Sequence, residues 1–237
     1  MINELLFGAQ SIIVAGISII ALAFGKEALI AAVAIQCLIA NIFVLKQTTF
    51  FGLNATCADA FTIGATLCIN ALREIYGMSA ARMAVRVNFV FLVFYTLCSI
   101  IHVAYIPSSF DTTQEHFLPL LTPMPRLVIA SFLVYYLSQT IDYLLYGKLK
   151  QLIGNRFLFF RNVISAGISQ FIDTVLFTFL GLYGLIDNLG QVIVVSYAIK
   201  IALIFIIAPF MAVSIAFLRW IGISVPTVPI VSSDKPE

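Results

Sequence analysis

A chain of 237 residues that is 62% hydrophobic, only 10% charged and of mean hydropathy +1.07 is not a water-soluble domain. Soluble domains carry nearly one quarter charged residues, and this composition has too little polar surface to cover a core of its size. The net charge of +2 points to no nucleic-acid partner, and the length fits one bundle of about six or seven spanning helices of about 20 residues each.

Seven apolar runs follow one another along the chain. The first, 4–24, has no basic region before it and no small-residue cleavage site, so it reads as a retained helix rather than a signal peptide. "GKE" at 25–27 separates it from the second run, 28–45, which holds Gln36 and Asn41. "KQTTFFG" at 46–52 leads into the third, 52–72, with Asp59 near its outer start and Asn70 and Glu74 one turn apart near its inner end. The remaining runs cover 87–106, 126–146, 162–184 and 190–219. The longest connection, 107–126, carries four prolines and reads as an ordered external loop with room for one helical turn. The expected division is a single transmembrane bundle over 1–222 and a polar, Pro-rich, disordered tail over 223–237.

Lysine and arginine set the expected orientation. The third connection carries Arg82 and Arg86, with Arg73 close by, and the fifth carries Lys148, Lys150, Arg156 and Arg161. The fourth has Arg126 at its margin beside Asp111 and Glu115, and the sixth has Asp187 and no basic residue. The basic connections are expected on the cytoplasmic side. Seven helices then place the N-terminus outside and the C-terminus inside, with Arg219 as inner anchor; if the first run does not span, six helices keep the same orientation.

Polar residues inside the apolar runs are the informative ones, because a charge at the bilayer centre costs about 2.5–3.5 kcal/mol on insertion scales. "SQTID" at 138–142 and "SQFID" at 169–173 say nearly the same thing in neighbouring runs. Gln139 and Asp142 are spaced i,i+3, as are Gln170 and Asp173, so each pair shares a helix face. Two such faces on an antiparallel hairpin are expected to converge, with Lys200 from the seventh run nearby. Plainer readings stand beside this. Serine and glutamine serve as interhelical hydrogen-bonding glue, Asp173 with Lys200 reads equally as a structural ion pair, and Asp142 and Glu74 as interfacial. Gly64, Gly167 and Pro209 are expected to interrupt the third, sixth and seventh runs. The four cysteines read as small buried hydrophobes, and His102 and His116 suggest no metal site. Protease, metalloprotease, nucleotide-binding and phosphotransferase motifs are absent, so neither an enzyme nor a bound cofactor is expected. A polar centre in a broken-helix bundle suggests small-molecule permeation.

"GLNATCADAFTIGATLCINALREIYG" (52–77), "ASFLVYYLSQTIDYLLYGKLK" (130–150), "AGISQFIDTVLFTFL" (166–180) and "SYAIKIALIFIIAPF" (196–210) occur in that order. Together they resemble the queuosine precursor transporter family, also called the vitamin uptake transporter group, in its longer branch with an additional N-terminal helix. The resemblance covers about residues 28–220. It implies a bacterial inner-membrane importer of 7-deazaguanines, namely 7-cyano-7-deazaguanine, 7-aminomethyl-7-deazaguanine or queuine. Shorter relatives carry Asp where this chain has Asn70.

Such a base presents N1–H and an exocyclic amine side by side, which one carboxylate accepts together, and O6, which suits an amide or a lysine. Asp173 or Asp142 is expected at that edge, with Gln139 and Gln170 flanking the base and Lys200 balancing charge. Asn70 and Glu74 complete the polar set, and Tyr136 and Tyr197 are candidates for stacking, alongside Tyr135 and Tyr76. Protonation of a buried carboxylate would couple uptake to the proton gradient; facilitated diffusion followed by trapping in tRNA is equally permitted. The alternative is a substrate-binding membrane subunit of an energy-coupling-factor importer. A homodimer is the base-rate expectation.

Overall fold

The structure is a computed structural model that describes residues 2–153, 158–202 and 205. The chain is an all-α membrane bundle with one small β-hairpin. In order it forms α1 (Ile2–Phe24), α2 (Lys26–Phe43), β1 (Gln47–Phe50), β2 (Leu53–Thr56), α3 (Asp59–Tyr76), α4 (Met78–Ala104), α5 (Gln114–Leu121), α6 (Met124–Ile153) and α7 (Leu158–Phe177). A π turn, Thr178–Leu182, ends α7, and α8 covers Leu189–Ala202. Among the described residues, four stretches are long and apolar enough to cross a membrane: Ile2–Phe24, Lys26–Phe43, Met78–Ala104 and Gln114–Ser138. Most residues of these stretches are not buried inside the bundle. On α4, Phe91, Phe94, Leu97 and Ile101 are all more than half exposed, as lipid contact requires.

Residues 52–58 depart from the helical reading of the third run. They hold β2, which pairs antiparallel with β1 from Gln47↔Thr56 to Phe50↔Leu53. The cause is local. Thr48, Thr49 and Thr56 favour extended backbone, and the two turn residues, Phe51 and Gly52, both have positive φ (49° and 82°). That is the primed geometry whose twist matches a two-residue hairpin. The hairpin is tied to its surroundings. Asn3 Nδ2 donates to Thr49 O (3.0 Å), Phe51 N donates to Glu4 Oε1 (2.9 Å), and Asn54 N donates to Gln191 Oε1 (3.1 Å). It therefore joins the starts of α1 and α8 at one end of the bundle.

The ends of α2 and α4 and the start of α6 lie at that hairpin end, and the helix ends that carry the basic residues lie at the other: Lys26 begins α2, Arg82 and Arg86 fall in the first turns of α4, and Lys148 and Lys150 in the last turns of α6, so the basic connections expected from the sequence are helical. The connection after α4 contains the eight-residue α5, a longer helical piece than the single turn expected. Pro125 is the second residue of α6, where a missing N–H costs nothing.

Close helix packing in the first half rests on small residues. Ala21, Ala32, Ala71, Ala80, Ala81 and Ala84 are buried together with Leu29, Val33 and Leu72. Gly64 belongs to this packing and does not interrupt α3, which is continuous through it. A Cβ there would collide with Gln36 Oε1 and Val14 Cγ1. α7 is likewise continuous through Gly167, because glycine costs a buried, tertiary-packed helix only about 1 kcal/mol. Pro209 and its expected kink, Arg156, Arg219 and the tail 223–237 lie outside the described residues.

Candidate functional site

Three helices deliver charged or hydroxyl side chains to one place in the bundle interior. α3 supplies Asp59, its first residue, turned inward by the β-hairpin and only 5% exposed. The helix N-terminus favours negative charge at that position. α8 supplies Ser196 and Lys200, one turn apart, both facing the Asp59 carboxylate. α7 supplies Asp173 and Thr174. Lys200 Nζ donates to Asp173 Oδ2 at 2.9 Å and to Thr174 Oγ1 at 3.2 Å. The Thr174 hydroxyl in turn donates to Gln170 O (2.8 Å), which leaves its lone pairs for the lysine. Lys200 is 7% exposed, and the Asp173 side chain retains 28%.

The charges do not balance when ionised: two carboxylates face one ammonium. Lys200 is committed to Asp173. Asp59 Oδ2 is sealed from solvent and has no hydrogen-bond partner among the described residues. The arrangement can bind one further positive charge, a proton, or a neutral ligand that offers N–H donors.

The repeated serines meet across the α6–α7 hairpin, where Ser169 Oγ donates to Ser138 O at 3.2 Å. This contact fixes the antiparallel register. Asp142 lies four residues from it toward the basic end, and Asp173 four residues from it toward the β-hairpin end. At 1.5 Å per residue the two aspartate positions are about 12 Å apart along the hairpin. The repeat is therefore inverted, with positions 142 and 173 on opposite sides of the serine contact along the hairpin.

The other expected residues divide into those near the cluster and those away from it. Tyr197 precedes Lys200 by three residues; its hydroxyl donates to Gly167 O (3.3 Å) and its ring meets Phe171 edge-on at 5.2 Å. With Gly167, Ile168, Ile201 and Phe205 it lines an open apolar groove of about 650 Å³. Gln170, one turn before Asp173 and Thr174, is half-buried on α7. Tyr136 is 72% exposed on the outward stripe of α6 with Ile129 and Leu133, away from Lys200. Asn70 is exposed; it shares the Asp59 face of α3 with Thr62 and Thr66 but lies about 16 Å along the helix from Asp59. The side chains of Gln139, Asp142 and Glu74 lie outside what the structure describes.

Asp59, Ser196 and Thr174 are members of the cluster that the sequence reading left out of the site. Asp59 was visible as a lone acid in an apolar segment, and Ser196 as the residue one turn before Lys200; Thr174 gave no signal. A second polar group binds α1, α2 and α3. Gln36 Nε2 donates to Ser18 Oγ (3.2 Å) and lies 3.9 Å from Cys68 Sγ. Asn41 accepts from Ser131 Oγ (3.0 Å), which joins α2 to α6. His102 packs edge-on against Phe117 at 5.0 Å, and no group of metal-binding side chains occurs among the described residues.

Comparison with known proteins matches residues 56–214 to the family model described as "Putative vitamin uptake transporter". A protein of Bacillus subtilis (strain 168) named "Probable queuosine precursor transporter" is 31% identical over 191 residues, covering 79% of this chain and 83% of its own. No solved structure matches the chain.

Proposed function

The chain belongs to the vitamin uptake transporter family, and from that membership we propose that it imports a queuosine precursor across the bacterial cytoplasmic membrane. The cargo is a 7-deazaguanine: the 7-cyano or 7-aminomethyl base, or queuine. Transport is secondary or facilitative, with the basic connections on the cytoplasmic side. The name of the Bacillus subtilis relative supports the cargo, and one observation supports the site: the Asp173–Lys200 pair at 2.9 Å inside a membrane bundle. An acceptor and a donor held side by side match the edge of a guanine-like base, whose N1–H and amine donate and whose O6 accepts. A base entering there exchanges the lysine–carboxylate contact for contacts of the same polarity, so neither group is left bare in a low dielectric. Gln170 flanks this place on α7, Tyr197 is within one turn of Lys200 for contact with the flat face, and Gln139, Asp142, Asn70 and Glu74 serve the path between the two ends.

The test is uptake of labelled 7-deazaguanines into cells that neither make nor import queuosine precursors. Wild-type protein is expected to restore uptake and queuosine in tRNA, and Asp173→Asn to abolish both. Undiminished uptake by Asp173→Asn would reject the role given to Asp173. Absence of uptake by the wild type would reject secondary or facilitative carriage of this cargo by the chain alone.

A further inference from the structure

We propose that Asp59 is the proton-binding group of the transport cycle, the residue that ties movement of the cargo to the proton gradient. The inference rests on the transporter reading above and adds to it a coupling ion and the residue that carries it.

The geometry separates two carboxylates that are otherwise alike. Asp173 is partly open and holds Lys200 at 2.9 Å. Asp59 is buried, and its Oδ2 has no donor among the described residues. An ionised carboxylate with an orphaned oxygen in a buried site is strongly disfavoured, because nothing replaces the water it gave up. A proton on Oδ2 removes that charge and leaves the Asp173–Lys200 pair electrically complete. The titratable groups facing Asp59 are Lys200 from α8, Asp173 from α7 and Cys57 from the preceding turn. Ser196 adds a hydroxyl from α8, and α1 brings Phe7 and Gln10, which do not titrate. No second cation among these groups is available to balance Asp59.

Protonated, the cluster is neutral with one carboxylate, Asp173, left to read the base. Deprotonated, it carries one net negative charge and Lys200 lies between two acids. Forming the Asp59 O–H bond on the side where cargo enters, and breaking it on the side where cargo leaves, moves one proton per cycle with no other bond changed. The position suits the role: Asp59 begins α3 beside the β-hairpin, toward one end of the bundle.

The test uses full-length protein in membrane vesicles with labelled 7-cyano-7-deazaguanine, 7-aminomethyl-7-deazaguanine and queuine in turn. Two quantities are read: accumulation driven by an imposed proton gradient, and exchange of internal for external base with no gradient. Wild type is expected to do both and to lose only accumulation when an uncoupler is added. Asp59→Asn is expected to lose accumulation while exchange falls far less. Accumulation by Asp59→Asn, or loss of exchange along with it in folded, membrane-inserted protein, overturns the inference. So does wild-type accumulation that survives the uncoupler. If Asp59→Asn does not insert, Asp59→Glu decides. Its accumulation-versus-pH profile, scaled to its own exchange rate, must be displaced from that of wild type, and superimposed profiles overturn the proposal. Wild-type vesicles that exchange no base overturn the transporter reading and this inference together, whereas normal exchange with a failed Asp59 prediction overturns this inference alone.

Discussion

Lys200 has almost no water around it, so its charge depends on Asp173 and Thr174. Replacing it with methionine keeps the bulk and removes the cation, leaving two acids near each other in the bundle. Breaking one side of a buried pair costs about 3–5 kcal/mol, and Lys200→Met is expected to lose stability on that scale. Lys200→Met combined with Asp173→Asn is expected to recover most of it, because no bare charge remains at Asp173. Denaturant titration of detergent-solubilised protein reads both. A pair whose double variant is as unstable as the single would refute this electrostatic account. The two helical glycines give a second contrast. At Gly64 an added methyl meets Gln36 and Val14 head-on, whereas at Gly167 the nearest atoms are 3.9 and 4.0 Å away. Gly64→Ala is expected to cost about 1–3 kcal/mol through overpacking, and Gly167→Ala to stay within about 0.5 kcal/mol of wild type. Equal effects in the same titration would contradict the packing described for α1, α2 and α3.

At the scale of elements, the helices were legible in the sequence because lipid imposes one rule on every span: long apolar runs with their backbone bonded internally. The β-hairpin was not. Leu53 and Ala55 merge by hydropathy with the start of α3, and only the Phe51–Gly52 turn marked the break. The polar cluster was half legible. Asp173 and Lys200 stand out as charges in apolar runs, but the contact with Asp59 joins α3 to the far half of the chain, and no local pattern encodes it. The inverted sense of the SQxxD repeat was also hidden, since spacing fixes a helix face but not the register between helices. The Ser138–Ser169 contact supplies that register and carries a prediction. In a variant whose four cysteines are replaced, a cysteine at 142 is expected to react with a membrane-impermeant thiol reagent from the basic end of the bundle. A cysteine at 173 is expected to react from the β-hairpin end. Right-side-out and inside-out vesicles separate the two, and labelling of both positions from one side would refute the inverted placement.

For the whole molecule, the question is what the bundle gains when cargo arrives. A base that binds the folded state alone stabilises it by mass action, about 2.7 kcal/mol at a concentration one hundred times its dissociation constant. A 7-deazaguanine is therefore expected to raise the unfolding temperature of the detergent-solubilised protein in a dose-dependent way. Hypoxanthine is expected to do so far less. It lacks the exocyclic amine, so a carboxylate that accepts two donors from the guanine edge keeps one oxygen unpaired, and a site built to hydrogen-bond a group rejects the analogue without it more strongly than size alone would. The same preparation separates the two transporter classes. A secondary or facilitative carrier moves labelled base into nucleotide-free vesicles that contain this chain alone. A subunit of an ATP-driven importer binds the base and shifts its unfolding temperature, yet moves none until its coupling and ATPase partners are supplied. Binding with no nucleotide-free flux would therefore keep the cargo and the Asp173–Lys200 site, while overturning both the carrier mechanism and the proton-binding role of Asp59.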